Sequence, residues 1–341
     1  MSTAQTSPPL SDASDRLLLD EAAPLLAGTV VVVDAPTVAM RLRGEVAELR
    51  IFLDSASQRR QFIGRVFDRS LEDTLADADV VLLRLPKALD RLDDLAAQIA
   101  RHAKPSVQLL ASGRLKYMTL SMNAVLGRSF GGVRASLARQ KSRVLFASSP
   151  LDVPAPAPTH NHLPDLQLDI VAWGGVFAGA TLDIGTRAML ATYDSLPPFE
   201  TAIDFGCGTG ILAAELKRAR PSARVIASDD SRIAIDSARD TFAANGLDIE
   251  VAHEATLSGQ SDNSADLIVL NPPFHSGGPV ERNLAQAMII LAARKLKPGG
   301  ELRTVWNSHL GYGPVLRREV GPTRQVSRTP KFTVTASVRR P

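Results

Sequence analysis

Residues 201–219 read TAIDFGCGTGILAAELKRA, and this stretch decides the fold class. The apolar run TAIDF predicts a buried strand, and ILAAELKRA has the spacing of an amphipathic helix. After the acidic strand end at Asp204, three glycines permit a tight turn and let a ligand approach the backbone closely. These glycines are Gly206, Gly208 and Gly210. Their spacing differs from the dinucleotide pattern Gly-x-Gly-x-x-Gly, and the absence of a Lys-Ser or Lys-Thr pair excludes a nucleoside-triphosphate loop.

The next predicted strand, ARVIAS, ends on Ser-Asp-Asp at residues 228–230. A carboxylate at the tip of the second strand of such a sheet can bind both hydroxyl groups of a ribose. Asp229 is the candidate for this role, with Asp230 beside it. Because the same residues precede a predicted helix, capping of that helix is the alternative, and the two roles are compatible. Together with the glycine loop, the pattern favours ribose binding.

Residues 265–274 read ADLIVLNPPF, a predicted buried strand followed by an amide, two prolines and an aromatic ring. Asn271 would lie at the carboxyl end of the strand, where open α/β sheets bind their ligands. An amino group conjugated to a ring is a poor nucleophile, because its lone pair is delocalised. The Asn271 side-chain oxygen and the Pro272 carbonyl would accept its two hydrogens, and Phe274 would stack on a planar base. The alternative is a rigid turn after a strand.

DFGCGTG, SDD and NPPFH together resemble the class I S-adenosylmethionine-dependent methyltransferases that modify exocyclic or amide nitrogens. More narrowly, NPPFH, the upstream segment GGVFAGATLDIGTRAML at 174–190 and a duplicated amino half resemble the bacterial ribosomal-RNA guanine-N2 methyltransferases. The resemblance implies a seven-stranded sheet with an antiparallel last strand, and S-adenosylmethionine bound over the glycine loop.

The resemblance also implies roles for individual residues. The residues implied around the target guanine are Asn271, Pro272 and Phe274. Those implied beside the cofactor are Gly185 and Thr186, together with Asp204, the three loop glycines, Asp229 and Asp230. HEATL carries Ala255 where a polar residue near the adenine is expected, so Glu254 or backbone groups alone would hold the adenine.

The two halves of the chain resemble each other, which indicates an internal duplication. ADVVLLRLPK at 78–87 aligns with ADLIVLNPPF without a gap, and HAKPSVQLLASGRLKY at 102–117 resembles KLKPGGELRTVWNSHLGY at 295–312. The first strands of the halves end at Asp34 and Asp204. In the first half, DAPTVAM occupies the position of DFGCGTG in the second half, and RLPK occupies the position of NPPF. We therefore expect the first half to bind no cofactor.

The predicted fold class is α/β, with two tandem Rossmann-like class I methyltransferase domains, the first degenerate. Each domain is expected to be a mostly parallel seven-stranded sheet flanked by helices. The predicted segments are a disordered tail (1–14), the degenerate domain (15–148), a proline-rich linker (149–169) and the catalytic domain (170–341). Tyr117 and Tyr312 occupy equivalent positions in the halves, and both are expected to be core or fold residues rather than base-stacking ones.

Charge is unevenly distributed along the chain, although the net charge is only +3. From Leu95 to Leu151 there are basic residues and no Asp or Glu, while acids crowd residues 12–21 and 72–94. The basic residues are Arg101, Lys104, Arg114, Lys116, Arg128, Arg134, Arg139, Lys141 and Arg143. This segregation favours a phosphate-binding, hence RNA-binding, first half. A solvated arginine-rich surface is the alternative.

The sequence thus predicts methyl transfer from S-adenosylmethionine to the N2 amino group of a guanosine in ribosomal RNA or a ribosomal subunit. The alternatives are an adenine-N6 nucleic-acid methyltransferase, a protein glutamine methyltransferase and a non-catalytic RNA-binding assembly factor. One cysteine, Cys207, and apolar runs too short for a bilayer predict a cytoplasmic protein without a membrane segment. We also expect a monomer. No metal site is expected, since His160 and His162 in the linker are too few ligands.

Overall fold

A computed structural model of the chain describes residues 12–62, 70–273 and 279–341. The chain folds as two compact units, which are Met1–Ala157 and Pro158–Pro341. Each unit contains an open β-sheet with one apolar cluster on each face. Within the described ranges, no helix is both long and apolar enough to cross a bilayer.

The first unit alternates strands and helices. Its strands are β1 (Thr29–Val33), β2 (Glu48–Phe52), β3 (Val80–Arg84), β4 (Gln108–Arg114), β5 (Phe130–Ala135) and β6 (Ser142–Pro150). Its helices are α1 (Ala13–Ala22), α2 (Pro36–Leu42), α3 (Ala56–Arg59), α4 (Leu71–Leu75), α5 (Leu89–His102) and α6 (Ser121–Ser129). The strand order is β2-β1-β3-β4-β6-β5, parallel except for the pairings of β6. The described residues form six strands in this sheet, one fewer than expected. In the described part of the chain, β2 is the edge strand, and no further strand pairs with it on its outer side.

The second unit repeats this plan with one more strand in its main sheet. Its strands are β7 (Thr159–Leu163), β8 (Leu168–Ala172), β9 (Thr201–Phe205), β10 (Arg224–Asp229), β11 (Glu250–His253), β12 (Ala265–Leu270), β13 (Leu296–Asn307), β14 (Thr323–Arg328) and β15 (Phe332–Val338). Its helices are α7 (Ile184–Leu190), α8 (Ile211–Ala219), α9 (Arg232–Ala244), α10 (Pro279–Lys295) and α11 (Gly313–Glu319). The main sheet has the order β11-β10-β9-β12-β13-β15-β14, and β15 runs antiparallel to both its neighbours. The predicted seven strands and the antiparallel last strand are confirmed.

Side-chain periodicity explains why these segments form buried elements. All five residues of β1, TVVVV, are buried, and its valines alternate between the clusters on the two faces of the sheet. In α5 the buried residues Leu92, Leu95, Ala96 and Ile99 follow the spacing of one helical face. Parallel strands covered on both faces by such helices give a rigid sheet whose carboxyl edge is open for ligands.

Both predicted segment ends near the tail and the linker need correction. The Asp12 side chain accepts a hydrogen bond from the Ser14 amide and caps α1, so a helix already begins at Ala13, within the predicted tail of residues 1–14. The predicted linker of residues 149–169 is also too long, because β7 begins at Thr159 and pairs with β8. The polar letters THNHL had suggested a linker, but they form an exposed strand.

The same hydrogen-bonded clasp occurs at the amino edge of both main sheets. Asp79, just before β3, accepts from the Thr29 amide at 2.8 Å and from Lys104 Nζ at 2.8 Å. Asp266 in β12 accepts from the Thr201 amide at 2.9 Å and from Lys297 Nζ at 2.6 Å. In the first sheet the clasp connects β1, β3 and the chain before β4, and in the second it connects β9, β12 and the start of β13. These contacts fix the register of neighbouring parallel strands.

Strand register also corrects the alignment of the two halves. Val33 pairs with Leu83 in the first sheet, and Phe205 pairs with Leu270 in the second. Because Leu83 and Leu270 align in the duplicated segment, Asp34 corresponds to Gly206 and not to Asp204. Both Asp34 and Gly206 have positive φ, 53° and 84°. The turn therefore survives in both halves, whereas the acid of the second half has no counterpart in the first.

Candidate active site

The glycine loop lies between β9 and α8, as the sequence predicts. Gly210 has φ of 83°, and a Cβ there would lie 2.5 Å from the Phe242 ring, so α9 packs directly against the bare backbone. Gly208 has φ of 54°, but a Cβ there would meet no described atom within 4 Å. The Gly206 amide donates to the Ser228 carbonyl at 2.7 Å, which ties the loop to β10. The loop is thus fixed on its inner side and open on its outer side.

Asp204 lies inside the protein beneath this loop. Its side chain is fully buried, and Oδ2 accepts from the Ala213 amide at 3.0 Å near the start of α8. Oδ1 has no hydrogen-bond partner among the described atoms. Removal from water raises the pKa of Asp204 to about 7, and the nearby Asp229 carboxylate contributes in the same direction. Asp204 therefore organises the loop from below rather than facing an open cleft.

Asp229 ends β10 and holds the loop from the side. Its Oδ2 accepts from the Gly208 amide at 3.0 Å and its Oδ1 from the Ser231 amide at 2.9 Å. The N-cap of α9 is Ser231, whose hydroxyl accepts from the Ala234 amide. The side chain of Asp230 is partly exposed, and its backbone carbonyl lies 2.9 Å from His253 Nε2. Helix capping therefore falls to Ser231, and the Asp229 carboxylate is held at the tip of β10 by two backbone amides.

Asn271 follows β12 directly, and its amide is held by one end only. Nδ2 donates to Thr186 Oγ1 at 3.1 Å and lies 3.5 Å from Asp183 Oδ2. Oδ1 is buried and has no partner among the described atoms. The Asp183 carboxylate fixes this orientation, because the flipped amide would bring two acceptor oxygens together. An unpaired acceptor is therefore held in place at the carboxyl edge of the sheet.

The amino end of α7 carries the two groups that hold Asn271. Asp183 is the N-cap of α7, and its Oδ2 accepts from the amides of Gly185 and Thr186 at 2.9 and 3.2 Å. A Cβ on Gly185 would lie 2.9 Å from Asp183 Oδ2 and 3.4 Å from Asn271 Oδ1. Gly185 and Thr186, predicted beside the cofactor, thus lie against the amide of Asn271.

A buried arginine that sequence reasoning missed secures the other end of α7. Arg303, in the middle of β13, is fully buried and pairs with Glu301 on its own strand. Its guanidinium donates to the carbonyl and hydroxyl of Thr192 and to the hydroxyl and carbonyl of Ser195, at 2.9–3.2 Å. The Thr192 hydroxyl in turn donates to the carbonyl of Met189 in α7. The only signal in the sequence is a pair of charged residues, Glu301 and Arg303, in the predicted strand ELRTVWN.

One cleft joins the glycine loop, α7 and Asn271. Its lining residues are Phe177, Ala178, Thr181, Asp183, Thr186, Gly206, Cys207, Gly208, Thr209, Ile211, Leu212 and Asn271. Pro272 is buried beside it, whereas Phe274 and His275 lie outside the described residues. Phe177 is partly exposed in the loop before α7, a position that the sequence analysis did not single out. The cleft combines bare backbone, one apolar ring and an unpaired amide oxygen.

Two further candidates from the sequence are Glu254, expected near the adenine, and the histidines of the predicted linker. The Glu254 Oε2 atom accepts from the Ser258 hydroxyl and the Gly259 amide at 2.9 and 2.8 Å, so this carboxylate mainly closes its own loop. His162 Nδ1 lies 2.8 Å from Asp169 Oδ1 across the β7–β8 hairpin. Among the described residues, no group of three or more His, Cys, Asp or Glu side chains is arranged to hold a metal ion.

Sheet order, the single antiparallel strand and the glycine loop define the second unit as a class I methyltransferase domain. A family model described as "Methyltransferase small domain" matches residues 167–336, and one described as "RLMG N-terminal domain" matches residues 55–150. A T. thermophilus 16S rRNA N2 methyltransferase, solved in complex with AdoMet and guanosine, superposes with a TM-score of 0.83 over 97% of this chain and 93% of that one. At 21% identity, that similarity establishes the two-domain fold.

Curated relatives identify the family. Ribosomal RNA large subunit methyltransferase G of Shewanella amazonensis is 34% identical over 266 residues, covering 76% of this chain and 69% of the relative. The protein of the same name from Streptomyces coelicolor is 36% identical over 275 residues, covering 76% and 72%. The chain belongs to this family of ribosomal RNA methyltransferases. The resemblance drawn from DFGCGTG, SDD and NPPFH is thereby confirmed.

Proposed function

We propose that the second unit transfers a methyl group from S-adenosylmethionine to the exocyclic N2 amino group of a guanosine in ribosomal RNA. The observation that carries this proposal is the Asn271 amide, whose nitrogen is held by Thr186 and whose oxygen is buried without a described partner. A buried acceptor left unsatisfied costs free energy, which a hydrogen bond from a bound amino group would recover.

The cleft fits the proposed cofactor. The outer side of Gly208 is open, so an adenosyl group can lie against the backbone without meeting a side chain. Asp229 is fixed by two backbone amides at the tip of β10, where a carboxylate can accept from ribose hydroxyls. Gly206, Gly210, Asp204 and Asp230 support this arrangement from the loop and the strand ends. When bound, S-adenosylmethionine supplies an electrophilic methyl group on a sulfonium.

The chain's own groups would prepare the guanine amine for attack. Asn271 Oδ1 accepts a hydrogen bond from one N2 hydrogen, and the Pro272 carbonyl accepts a hydrogen bond from the other. These two bonds draw the nitrogen out of conjugation and aim its lone pair. Phe274 stacks on the base and holds its plane. Thr186 and Asp183 keep the amide from rotating, so the acceptor is placed before the substrate arrives. No covalent enzyme intermediate is needed.

The first unit is proposed to bind RNA without a cofactor. In the first unit the chain between β1 and α2 is only Asp34 and Ala35, against Gly206 to Gly210 in the second unit. The buried Asp15 side chain accepts from Thr37 at the start of α2 and from Arg84, the last residue of β3. These contacts join the elements of the first unit that correspond to those bordering the cleft in the second unit.

The charge pattern of the first unit supports a narrower RNA surface than the sequence suggested. Acids distant in sequence neutralise several of its basic residues. These pairs are Lys104 with Asp79, Arg114 with Asp12, Arg128 with Asp93 and Arg139 with Asp20 and Glu21. No ion pair with a described acid occurs for Lys116, Arg134 or Lys141, which therefore remain candidates for phosphate contacts. The proposal includes a monomeric enzyme that meets ribosomal RNA in the cytoplasm.

Nucleoside mass spectrometry tests the function directly. The purified protein is incubated with methyl-labelled S-adenosylmethionine and ribosomal RNA, either naked or in assembled subunits, and the RNA is digested to nucleosides. Labelled N2-methylguanosine is expected with the native chain, and at least about 100-fold less with Asn271→Ala. Labelled N6-methyladenosine, or label in protein, would overturn the guanine assignment, and undiminished product from Asn271→Ala would overturn the role of the amide.

A further inference from the structure

The two equivalent tyrosines have opposite environments, although both are expected to be core or fold residues rather than base-stacking ones. Tyr312 is only 2% exposed and packs edge-on against Trp306 with ring centroids 6.0 Å apart. Tyr117 is 47% exposed in the turn that follows β4. Core packing therefore does not account for the position of the Tyr117 ring.

Two lysines flank the exposed ring. Lys87 Nζ lies 4.7 Å and Lys116 Nζ 4.5 Å from the centroid of the Tyr117 ring. Neither ammonium forms an ion pair with an acid in the described part of the chain, unlike Lys104 and Arg114 nearby. Two like charges beside one ring repel each other, so the cluster is poised for an anion. The same ammonium groups lower the pKa of the Tyr117 hydroxyl, mainly through the hydrogen bond from Lys116.

The cluster lies where this type of sheet binds ligands. Lys87 follows the carboxyl end of β3 and Tyr117 follows that of β4, and these two strands are parallel neighbours. The carboxyl edge is the ligand-binding edge of open α/β sheets. Lys87 also aligns with Phe274, the ring proposed to stack on the target base. In the first unit, therefore, the carboxyl edge of the sheet carries an aromatic ring and two cations that form no ion pair with a described acid.

We propose that Lys87, Tyr117 and Lys116 form a binding subsite for an unpaired nucleotide of the RNA substrate. The ring stacks on the base, and the two ammonium groups contact the flanking phosphates. Exposed Leu115 and Leu120, 37% and 87% accessible, extend the apolar surface beside the ring. This combination matches single-stranded nucleic acid, which presents base faces and phosphates together. The subsite rests on the proposed function, since it gives the inert unit its share of RNA binding.

Fluorescence anisotropy with a labelled single-stranded RNA of about 10 nucleotides tests the subsite on the full-length chain. Tyr117→Ala is expected to weaken binding roughly 5- to 150-fold, whereas Tyr117→Phe stays within about twofold, since it keeps the stacking face. The double variant Lys87→Gln/Lys116→Gln is expected to reduce the slope of log affinity against log salt by about 1.4. Arg41→Gln/Arg239→Gln removes two exposed charges elsewhere and is expected to leave the slope unchanged.

Three outcomes would overturn the subsite. They are equal losses in Tyr117→Ala and Tyr117→Phe, a slope change in the control double variant as large as that in the lysine variant, and binding of all variants like the native chain. Methylation of ribosomal RNA by the native chain is measured in the same preparation. Native methylation with unaffected variants refutes the subsite alone, whereas absence of native methylation refutes the proposed function. Unchanged melting temperatures show that the variants are folded.

Discussion

The two units hold the residue at the carboxyl end of two corresponding strands, β3 and β12, in the same way but with different chemistry. In the second unit Asn271 lies against Asp183 and Thr186 at the amino end of α7. In the first unit Arg84 takes the place of Asn271 and bonds Asp12 and Asp15 at the amino end of α1. An amide keeps an acceptor free when its nitrogen is held, whereas a guanidinium has only donors. One scaffold therefore gives a reactive site in one unit and a structural ion pair in the other.

The largest expected effect comes from replacing the amide itself. Asn271→Asp is expected to lower the single-turnover rate of methyl transfer by about 10²–10³-fold, because it loses the donor to Thr186 and sets a second carboxylate beside Asp183. Quench-flow with labelled cofactor measures the rate, and cofactor affinity from titration calorimetry serves as the control. A single-turnover rate within about threefold of the native rate would contradict the view that Asn271 gives the second unit its catalytic activity.

A second test uses the buried acid that the first unit replaces with Val32. Asp204 has a pKa of about 7 in the folded protein and 3.8 as its ordinary value. The unfolded chain therefore loses this proton first as pH rises. Folding stability from this group is fully present below about pH 4 and falls by about 4 kcal/mol by pH 7. Asp204→Asn should flatten this part of the profile of unfolding free energy against pH, and an unchanged slope would contradict it.

The ion pair of the first unit predicts a stability effect without a catalytic one. Arg84→Met leaves the buried Asp15 carboxylate without its cation, so the opening free energy of the first unit should fall by about 2 kcal/mol. Hydrogen exchange with mass spectrometry resolves the two units separately. Adding Asp15→Asn removes the unpaired charge and should recover much of the loss. Equal destabilisation in single and double variants would show that the pair is not coupled.

The smallest expected effect separates two roles for Thr186. Thr186→Val keeps the shape but removes the hydroxyl that holds Asn271 Nδ2, which costs about 1 kcal/mol, or about fivefold in the transfer rate. Cofactor affinity is expected to stay within about twofold. If affinity falls and the rate constant at saturation does not, Thr186 contacts the cofactor instead of positioning the amide.

Local sequence patterns predicted the elements whose signals are local. The glycine loop, the carboxylate at the tip of β10 and the place of Asn271 after β12 all follow from strand ends and turn chemistry. Contacts between distant residues were not predictable. Nothing in the sequence places Asp12 against Arg114 or Glu21 against Arg139, so the basic stretch seemed more positive than it is. The buried role of Arg303 depends likewise on Thr192 and Ser195, which reach it only in the folded sheet.

The paired aspartate–lysine clasps at the amino edges suggest how one copy of a duplicated enzyme can change its task. Asp79 with Lys104 and Asp266 with Lys297 align the strands at the edge opposite to the chemistry. A copy that keeps this edge can lose its loop and its amide and still fold. The contacts that hold the sheet together lie at its amino edge, and the catalytic residues lie at its carboxyl edge. The carboxyl edge can therefore diverge while the sheet is kept.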